Sequence, residues 1–235
     1  MKLSTIKELA LELGFDDCGA APVQRLDRDA DFMDRWVDSG YAGKMDYLER
    51  NRDKRYDIAA LVPGAKTVVV CLLSYEKSGR DYHRTVKSKL YQLEAAIVEK
   101  GKNLSPPLSS GEGESGQLTN MEVQHIFCDS APVLERRWAQ LAGLGTIGYN
   151  HQLIHPTLGS FVHPGELVLN IELEDMPERL EVDWRIGAPC GDCRACIEAC
   201  PGKALGHEVW DPRLCIAYET HHCTVCQAVC PKNRQ

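Results

Sequence analysis

Cysteines are the residues whose spacing most directly predicts chemistry here, since eight of the 11 lie between residues 190 and 230. In bacterial ferredoxins, C-x2-C-x2-C-x3-C-P supplies three thiolates to one iron–sulfur cube and a fourth to another. Two runs follow this logic, the second with a longer first gap: Cys190, Cys193, Cys196, Cys200 and Pro201, then Cys215, Cys223, Cys226, Cys230 and Pro231. Exchange of the remote cysteines predicts two 4Fe-4S clusters, with ligand sets Cys190, Cys193, Cys196, Cys230 and Cys200, Cys215, Cys223, Cys226.

A pair of structural zinc sites with four thiolates each is the alternative for these cysteines. Zinc sites usually take ligands from separated pairs, whereas three thiolates two residues apart and a remote fourth before proline are typical of a cube. A disulfide framework is not expected, because no secretory signal is recognised and cytosolic thiols stay reduced. The other cysteines lie in or beside apolar segments and are interpreted as buried, inert thiols: Cys18, Cys71 and Cys128.

Length and composition indicate a globular chain, with 235 residues of which 43% are hydrophobic. No apolar run is long enough to span a bilayer, and the first residues are amphipathic, so a cytoplasmic location without membrane contact is expected. The formal net charge of −7 argues against non-specific coating of nucleic acid. A local RNA contact remains compatible with that charge.

The elements that must support the cysteine tail begin with a helix, predicted from apolar residues at helical intervals and from a capping box of Thr5 and Glu8. A second amphipathic helix ends at Gly40. The apolar run 67–73 predicts a strand that is buried on both faces. A helix over 82–100, ended by Gly101, is expected to pack on the sheet, and the Ser-, Gly- and Pro-rich segment 103–120 is predicted to be a flexible insertion.

Asp129 lies where a predicted strand, 123–128, meets a helix that Ser130 and Pro132 are expected to open and that runs to Ala142. Ligand-facing carboxylates concentrate at such junctions, and the competing interpretation of Asp129 is a helix N-cap. A further strand is predicted over 167–173. The resulting fold class is α/β (α+β), with a cofactor- and substrate-binding domain at 1–180 and a ferredoxin-like two-cluster domain at 181–235.

A glycine motif and a histidine pair resemble known binding motifs, but neither is interpreted as a binding site. The segment 143–148 matches G-x-G-x-x-G in letters, but it follows a helix and is interpreted as a helix-ending turn. His151 and His155 have the spacing of zinc proteases, yet Gln152 replaces the glutamate base and Pro156 opposes a continuing helix. Two clusters relay single electrons, and a plain ferredoxin needs only about 60 residues for this. The large domain is therefore expected to hold the electron acceptor.

Taken together, these residues resemble the epoxyqueuosine reductases, which are cobalamin-dependent iron–sulfur enzymes of tRNA queuosine synthesis. The likeness covers nearly the whole chain and includes both cysteine runs. It is carried by these segments: Trp36, 43–48, 61–66, 81–83, 129–136, Trp138-Ala139, 142–145, 147–148, Asn150, 165–166, 213–216 and 226–227.

That resemblance implies a cobalamin held against the nearer cluster, with Asp129 as proton donor and cofactor contact. Arg55, Ile216 and Val225 are further expected cofactor contacts. Electrons would pass from the outer cluster to the inner one and then to cobalt, and Co(I) would reduce the epoxide while Asp129 protonates the departing oxygen. The implied partners are tRNA as substrate and an external electron donor such as a flavodoxin or ferredoxin. A monomer is expected.

The sequence departs from the family pattern at several positions. Only residues 76–80 separate the strand from Asp81-Tyr-His83, the strand before Asp129 lacks arginine, and Thr146 and Tyr149 stand where the family has Trp and Lys. Two other readings therefore stay open. One is a cobalamin-dependent reductase of another substrate, akin to reductive dehalogenases, and the other is a two-cluster electron carrier without cobalamin.

Overall fold

The computed structural model describes residues 1–104, 123–176, 182–206, 209–220 and 222–233. The predicted insertion at 103–120 lies almost entirely outside these residues, as does 177–181 of the predicted link to the cysteine tail. In the described part of the chain, no helix is long and apolar enough to cross a membrane.

The strands are β1 Asp17–Pro22, β2 Thr67–Ser74, β3 Val123–Phe127, β4 Thr146–Ile147, β5 Leu153–Ile154 and β6 Val162–Leu169. The helices are α1 Leu3–Glu12, α2 Asp27–Asp38, α3 Arg52–Tyr56, α4 Ile58–Leu61, α5 Tyr75–Ser78, α6 Tyr82–Leu104, α7 Glu135–Leu141, α8 Ala195–Glu198, α9 Ile216–Thr220 and α10 Val225–Ala228. Single 3-10 turns occupy Asp46–Leu48, Ala188–Cys190, Pro212–Leu214 and Pro231–Asn233.

A four-stranded sheet in the order β1-β2-β6-β3 forms the centre of the molecule, and every neighbouring pair is antiparallel. The prediction that the run 67–73 is a strand buried on both faces is confirmed, because helices cover both sides of β2. On one face Val69, Cys71 and Leu73 pack with α1 and α6. On the other face Val68 and Val70 pack with α7. The mixed α/β class is thus confirmed.

Helix α6 packs on this sheet through the predicted apolar stripe, Val86, Leu90, Leu93 and Ile97. Gly165 in β6 permits the close approach, since a Cβ there would lie 2.6 Å from Val86 Cγ1. Gly101 does not end the helix, which continues to Leu104, so that prediction is wrong. A single glycine costs a helix only about 1 kcal/mol, which neighbouring turns can offset.

Three predicted element starts are also wrong. Helix α1 begins at Leu3, before the predicted box, and the distant Asp175 side chain caps it by accepting from the backbone N–H groups of Leu3 and Ser4. Helix α7 begins at Glu135 rather than at Ser130 or Pro132, because a turn occupies 128–132. Strand β6 covers 162–169 rather than 167–173. Its first half was not predicted because Pro164 and Gly165 are residues that strands usually avoid.

The cysteine-rich part packs around a small core of its own, made by Cys196, Cys200, Ala204 and Leu205. Several hydrogen bonds join it to the rest of the protein, and two of them come from the side chains of Trp36 and Gln227. Trp36 Nε1 of α2 donates to the Trp210 carbonyl at 2.9 Å. Gln227 Nε2 of α10 donates to the Ser160 carbonyl at 2.7 Å. These contacts place the cysteines against the end of the sheet that carries Asp129.

Candidate functional site

Asp129 is separated from the end of β3 by Cys128 alone and has a left-handed backbone, with φ of +49°. The helix N-cap interpretation is wrong, because the residue before α7 is Leu134 and no side chain caps the helix there. Instead the Asp129 N–H donates to Glu135 Oε1, which fixes the turn from within α7. A non-glycine residue in this region is strained by about 1 kcal/mol or more, and such strain concentrates at functional sites.

A stack of four aromatic rings positions the Asp129 carboxylate. Tyr82 Oη donates to Asp129 Oδ2, and the Tyr82 ring lies 3.8 Å from the His163 ring and 4.0 Å from the His83 ring. Tyr75 extends the stack, 4.1 Å from His163. Burial and the Asp129 carboxylate both raise the pKa of Tyr82, so the phenol stays a donor. The role of Tyr82 was not recognised from the sequence, although it stands inside the Asp81-Tyr-His83 motif.

Two further carboxyl groups lie behind Asp129, and neither was singled out from the sequence. Burial raises the pKa of Glu135 to about 7. Glu166 is fully buried, and neither oxygen has a hydrogen-bond partner among the residues that the structure describes. Burial, then the charges of Glu135 and Asp129, raise the pKa of Glu166 well above its usual range. Burial lowers the pKa of His163 to about 4, so its imidazole is neutral. At neutral pH the carboxyl groups of Glu135 and Glu166 can therefore carry protons.

The predicted ligand sets divide the eight cysteines of the tail into two groups. Burial raises the pKa of Cys190, with smaller contributions from Cys230 and Cys193. Burial also raises the pKa of Cys196, with smaller contributions from Cys190 and Cys230. Burial raises the pKa of Cys226 to about 11, with contributions from Cys196, Cys215, Cys223 and Cys200. The first group is Cys190, Cys193, Cys196 and Cys230. The second group is Cys200, Cys215, Cys223 and Cys226. Cys196 of the first group also acts on Cys226 of the second, so the two groups lie close together, and the division of the eight ligands between two clusters stays a prediction.

The spacing between thiol ligands differs between a site for a single metal ion and a site for an iron–sulfur cube. Among the described residues, no three His, Cys, Asp or Glu side chains lie close enough together to hold a single metal ion. Thiolates around an iron–sulfur cube lie farther apart, because the cube itself fills the space between them. The donor set of each group, four thiols, is the one that 4Fe-4S clusters take.

A cavity of about 260 Å³ lies against the second cysteine group. All four cysteines of the second group line it, together with Arg136 and Asn150. The Asn150 side-chain nitrogen is buried and has no partner among the described residues, while its oxygen accepts from the Gln152 N–H at 3.1 Å. Since Glu135 holds Asp129 and the next residue, Arg136, lines the cavity, α7 joins the two sites.

The surface beside this cavity is apolar and open. Leu214, Ile216 and Val225 are 52%, 42% and 36% exposed, and Ile216 also lines the cavity. Large exposed apolar side chains around a cavity favour binding of an apolar ligand. This surface fits the flat, largely apolar face of a corrin, so Ile216 and Val225 remain candidate contacts.

The other predicted residues lie elsewhere. Arg55 is only 6% exposed and donates to the carbonyls of Leu48 at 2.7 Å and Tyr47 at 3.1 Å, so these described contacts are structural, and its contact with a cofactor stays a prediction. Burial of Cys18, Cys71 and Cys128 is confirmed. His155 bonds Asp17 Oδ2 at 3.0 Å. The segment 143–148 is a turn after α7 leading into β4, as predicted.

Comparison with known proteins gives one consistent result. No family model matches the chain. An epoxyqueuosine reductase of Leadbetterella byssophila is 36% identical, in an alignment that covers 97% of this chain and 78% of the relative. The structure of epoxyqueuosine reductase from Streptococcus thermophilus has a TM-score of 0.79 at 26% identity and covers 99% of this chain and 66% of that one.

Two further solved structures share the fold. A crystal structure of epoxyqueuosine reductase with an epoxyqueuosine-modified tRNA-Tyr stem loop has a TM-score of 0.77 at 23% identity, over 98% of this chain and 65% of that one. A catabolic reductive dehalogenase is more distant, with a TM-score of 0.55 at 18% identity, over 98% of this chain and 31% of that one. The identity and coverage of the curated relatives decide the family. This chain belongs to the epoxyqueuosine reductase family.

Proposed function

We propose that this protein reduces epoxyqueuosine to queuosine in tRNA. The observation that carries the proposal is the junction in α7, where Glu135 fixes the Asp129 turn and Arg136 reaches the cavity of the second cysteine group. This contact through α7 supports a proton source and an electron source that act on the same substrate. Relatives named epoxyqueuosine reductase support the reaction, and the neighbour bound to an epoxyqueuosine-modified stem loop supports tRNA as the substrate.

The proposal includes two 4Fe-4S clusters and a cobalamin. The first and second cysteine groups would each hold one cluster, and the domain at 1–180 would hold cobalamin against the ferredoxin-like domain at 181–235. Leu214, Ile216 and Val225 would face the corrin, and Asn150 Nδ2 would donate into the cavity. When bound, the cobalamin supplies a strongly reducing metal centre for the substrate.

The residues of the chain itself supply and place protons. Removal of an epoxide oxygen as water consumes two electrons and two protons. Asp129 would give a proton to the departing oxygen, while Tyr82 holds the carboxyl group in position. Glu135 and Glu166, whose pKa values are raised mainly by burial, would keep further protons within reach. His163 serves as a neutral ring in the stack and not as an acid, because burial lowers its pKa to about 4.

The test uses anaerobically reconstituted protein with its clusters and cobalamin, a chemical reductant, and tRNA that carries epoxyqueuosine. We expect wild-type protein to form queuosine, detected by mass spectrometry of the nucleosides. Asp129→Asn should abolish turnover while both clusters and the corrin spectrum persist, and Asp31→Asn, an exposed aspartate of α2, is the matched control.

Two results would contradict the proposal. Loaded wild-type protein that leaves epoxyqueuosine unchanged would exclude this substrate. Protein that holds both clusters but binds no corrin would favour the two-cluster electron carrier instead. Retained turnover in Asp129→Asn would remove the proposed role of that residue.

A further inference from the structure

A second cavity, of about 730 Å³, opens on a different side of the cysteine tail. We call it the basic cleft and define it by Arg28, Arg185, Arg194, Trp184 and Tyr149, all of which line it. The first three are exposed arginines. A cavity of this size with several exposed guanidinium groups is a surface that attracts a negatively charged partner.

Aromatic rings hold the guanidinium groups of the cleft in place. The Arg194 guanidinium carbon lies 4.3 Å from the centre of the Tyr149 ring. Two arginines lie over the Trp184 ring, Arg28 at 5.7 Å and the buried Arg137 at 4.4 Å. Contacts of this kind fix the position of a cation without neutralising it. At least one face of each ring is thereby covered by a guanidinium group, and a nucleotide base cannot stack on that face.

The charge of the cleft is net positive. Asp29 is the one carboxylate among its described lining residues, and it pairs with Arg137 at 2.7 Å. Asp183 offsets Arg185 at 2.5 Å. Within the described ranges of the chain, no carboxylate lies at ion-pair distance from Arg28 or Arg194. These two arginines thus have no carboxylate ion-pair partner in that part of the chain, although the whole chain carries a formal charge of −7.

The cleft borders the first cysteine group. Arg194 stands between Cys193 and Cys196 and donates to the carbonyls of Gly191 at 2.9 Å and Cys193 at 3.0 Å. The backbone N–H of Tyr149 donates to the Cys190 thiol. The cavity of about 260 Å³ is instead lined by the second cysteine group. The basic cleft therefore lies next to the first cysteine group, whereas the other cavity lies next to the second.

We propose that the basic cleft is the docking surface of an acidic, one-electron carrier protein that reduces the cluster of the first cysteine group. The inference rests on the proposed function and adds to it the place where electrons enter. In each docking event the reduced cofactor of the carrier loses one electron and the cluster gains one, with no covalent bond formed or broken. Two such events supply the two electrons that removal of one epoxide oxygen consumes.

The test measures how reduced flavodoxin, an acidic probe, associates with the loaded protein and reduces its clusters. Arg28→Glu/Arg185→Glu reverses two cleft charges without touching the carbonyls of the cysteine loop. We expect association at low salt to slow about tenfold or more, and its salt dependence to weaken. The affinity for flavodoxin should fall in parallel. Arg50→Glu/Lys100→Glu makes the same change in total charge at exposed sites outside the cleft and should behave as wild type.

Two controls separate this inference from the proposed function. Dithionite, a small reductant, should reduce the clusters of the cleft variant as fast as those of wild type, and dithionite-driven queuosine formation should persist. If wild-type protein forms no queuosine even with dithionite, the proposed function fails and the docking result still stands. Unchanged flavodoxin association in Arg28→Glu/Arg185→Glu would overturn the inference. Loss of tRNA binding with flavodoxin binding intact would identify the cleft as an RNA surface and would also overturn it.

Discussion

Replacing Tyr82 by Phe should impair the Asp129 site while leaving its architecture in place. The phenylalanine ring can keep the stack, since the 3.8 Å and 4.0 Å contacts to His163 and His83 involve ring faces alone. What is lost is the single hydrogen bond from Tyr82 Oη to Asp129 Oδ2. The substitution therefore isolates the orientation of the carboxyl group from the packing around it.

The size of the effect follows from the nature of that bond. Hydrogen bonds to charged groups contribute about 1.5 to 3 kcal/mol. Asp129 is exposed, so water can replace the phenol in part, and the lower end of the range applies. About 1.5 kcal/mol corresponds to roughly a tenfold loss of kcat, since each 1.36 kcal/mol is a factor of ten. KM for the tRNA should change little, because Tyr82 contacts the proton donor.

The assay is queuosine formation by anaerobically loaded enzyme under single-turnover conditions. Tyr91→Phe is the matched control, because Tyr91 lies on the same helix, α6, but is 59% exposed. Both variants should keep their iron content and corrin spectrum. Full activity in Tyr82→Phe, or an equal loss in Tyr91→Phe, would refute the assignment of Tyr82 as a positioning residue.

Three further outcomes are expected. The folded-state pKa of Glu135, about 7, exceeds its ordinary 4.5, so wild-type stability should fall as pH rises between these values. Glu135→Gln keeps an acceptor for the Asp129 N–H, so at about pH 8 its free energy of unfolding should exceed that of wild type by on the order of 3 kcal/mol, with little difference at about pH 5. Equal melting temperatures of the two proteins at both pH values would contradict this. Cys230→Ser should cost more than half of the iron, because the two clusters fold together, whereas Cys71→Ser should retain it, as iron and sulfide analysis can check. Gly19→Ala would place a Cβ 2.3 Å from the Ala142 carbonyl oxygen and should lower stability by about 1–3 kcal/mol, so an unchanged melting temperature would be inconsistent with this packing.

Much of the fold could be predicted where local pattern decides structure. The apolar run of β2 and the stripe of α6 predicted their elements correctly, because each must bury its apolar residues. The antiparallel order β1-β2-β6-β3 could not be predicted, since strand pairing joins residues far apart in the chain. The start of α7 was misplaced for a similar reason. Ser130 and Pro132 are good opening residues for a helix, yet the contact between Asp129 and Glu135 stabilises a turn there instead.

The candidate site divides in the same way. Cysteine spacing is a local pattern, and the two predicted groups of thiols in the tail follow from it alone. The importance of Asp129 could be predicted from the motif that surrounds it. The carboxyl and ring partners of Asp129 come from other elements: His163 and Glu166 lie on β6, and Glu166 stands opposite both Val70 and Phe127 in the sheet. No short sequence window contains this arrangement.

The interleaved cysteine groups bear on how the protein is made. The predicted ligand sets put Cys230 in the first group and Cys226 in the second, and with these sets neither group of four thiols is complete until the ribosome has passed residue 226. Iron delivery must therefore follow synthesis of nearly all of this segment. During that interval the sheet, whose last strand ends at Leu169, has already been translated and can fold. The nascent chain would then present a finished α/β surface on which the iron-binding tail closes last.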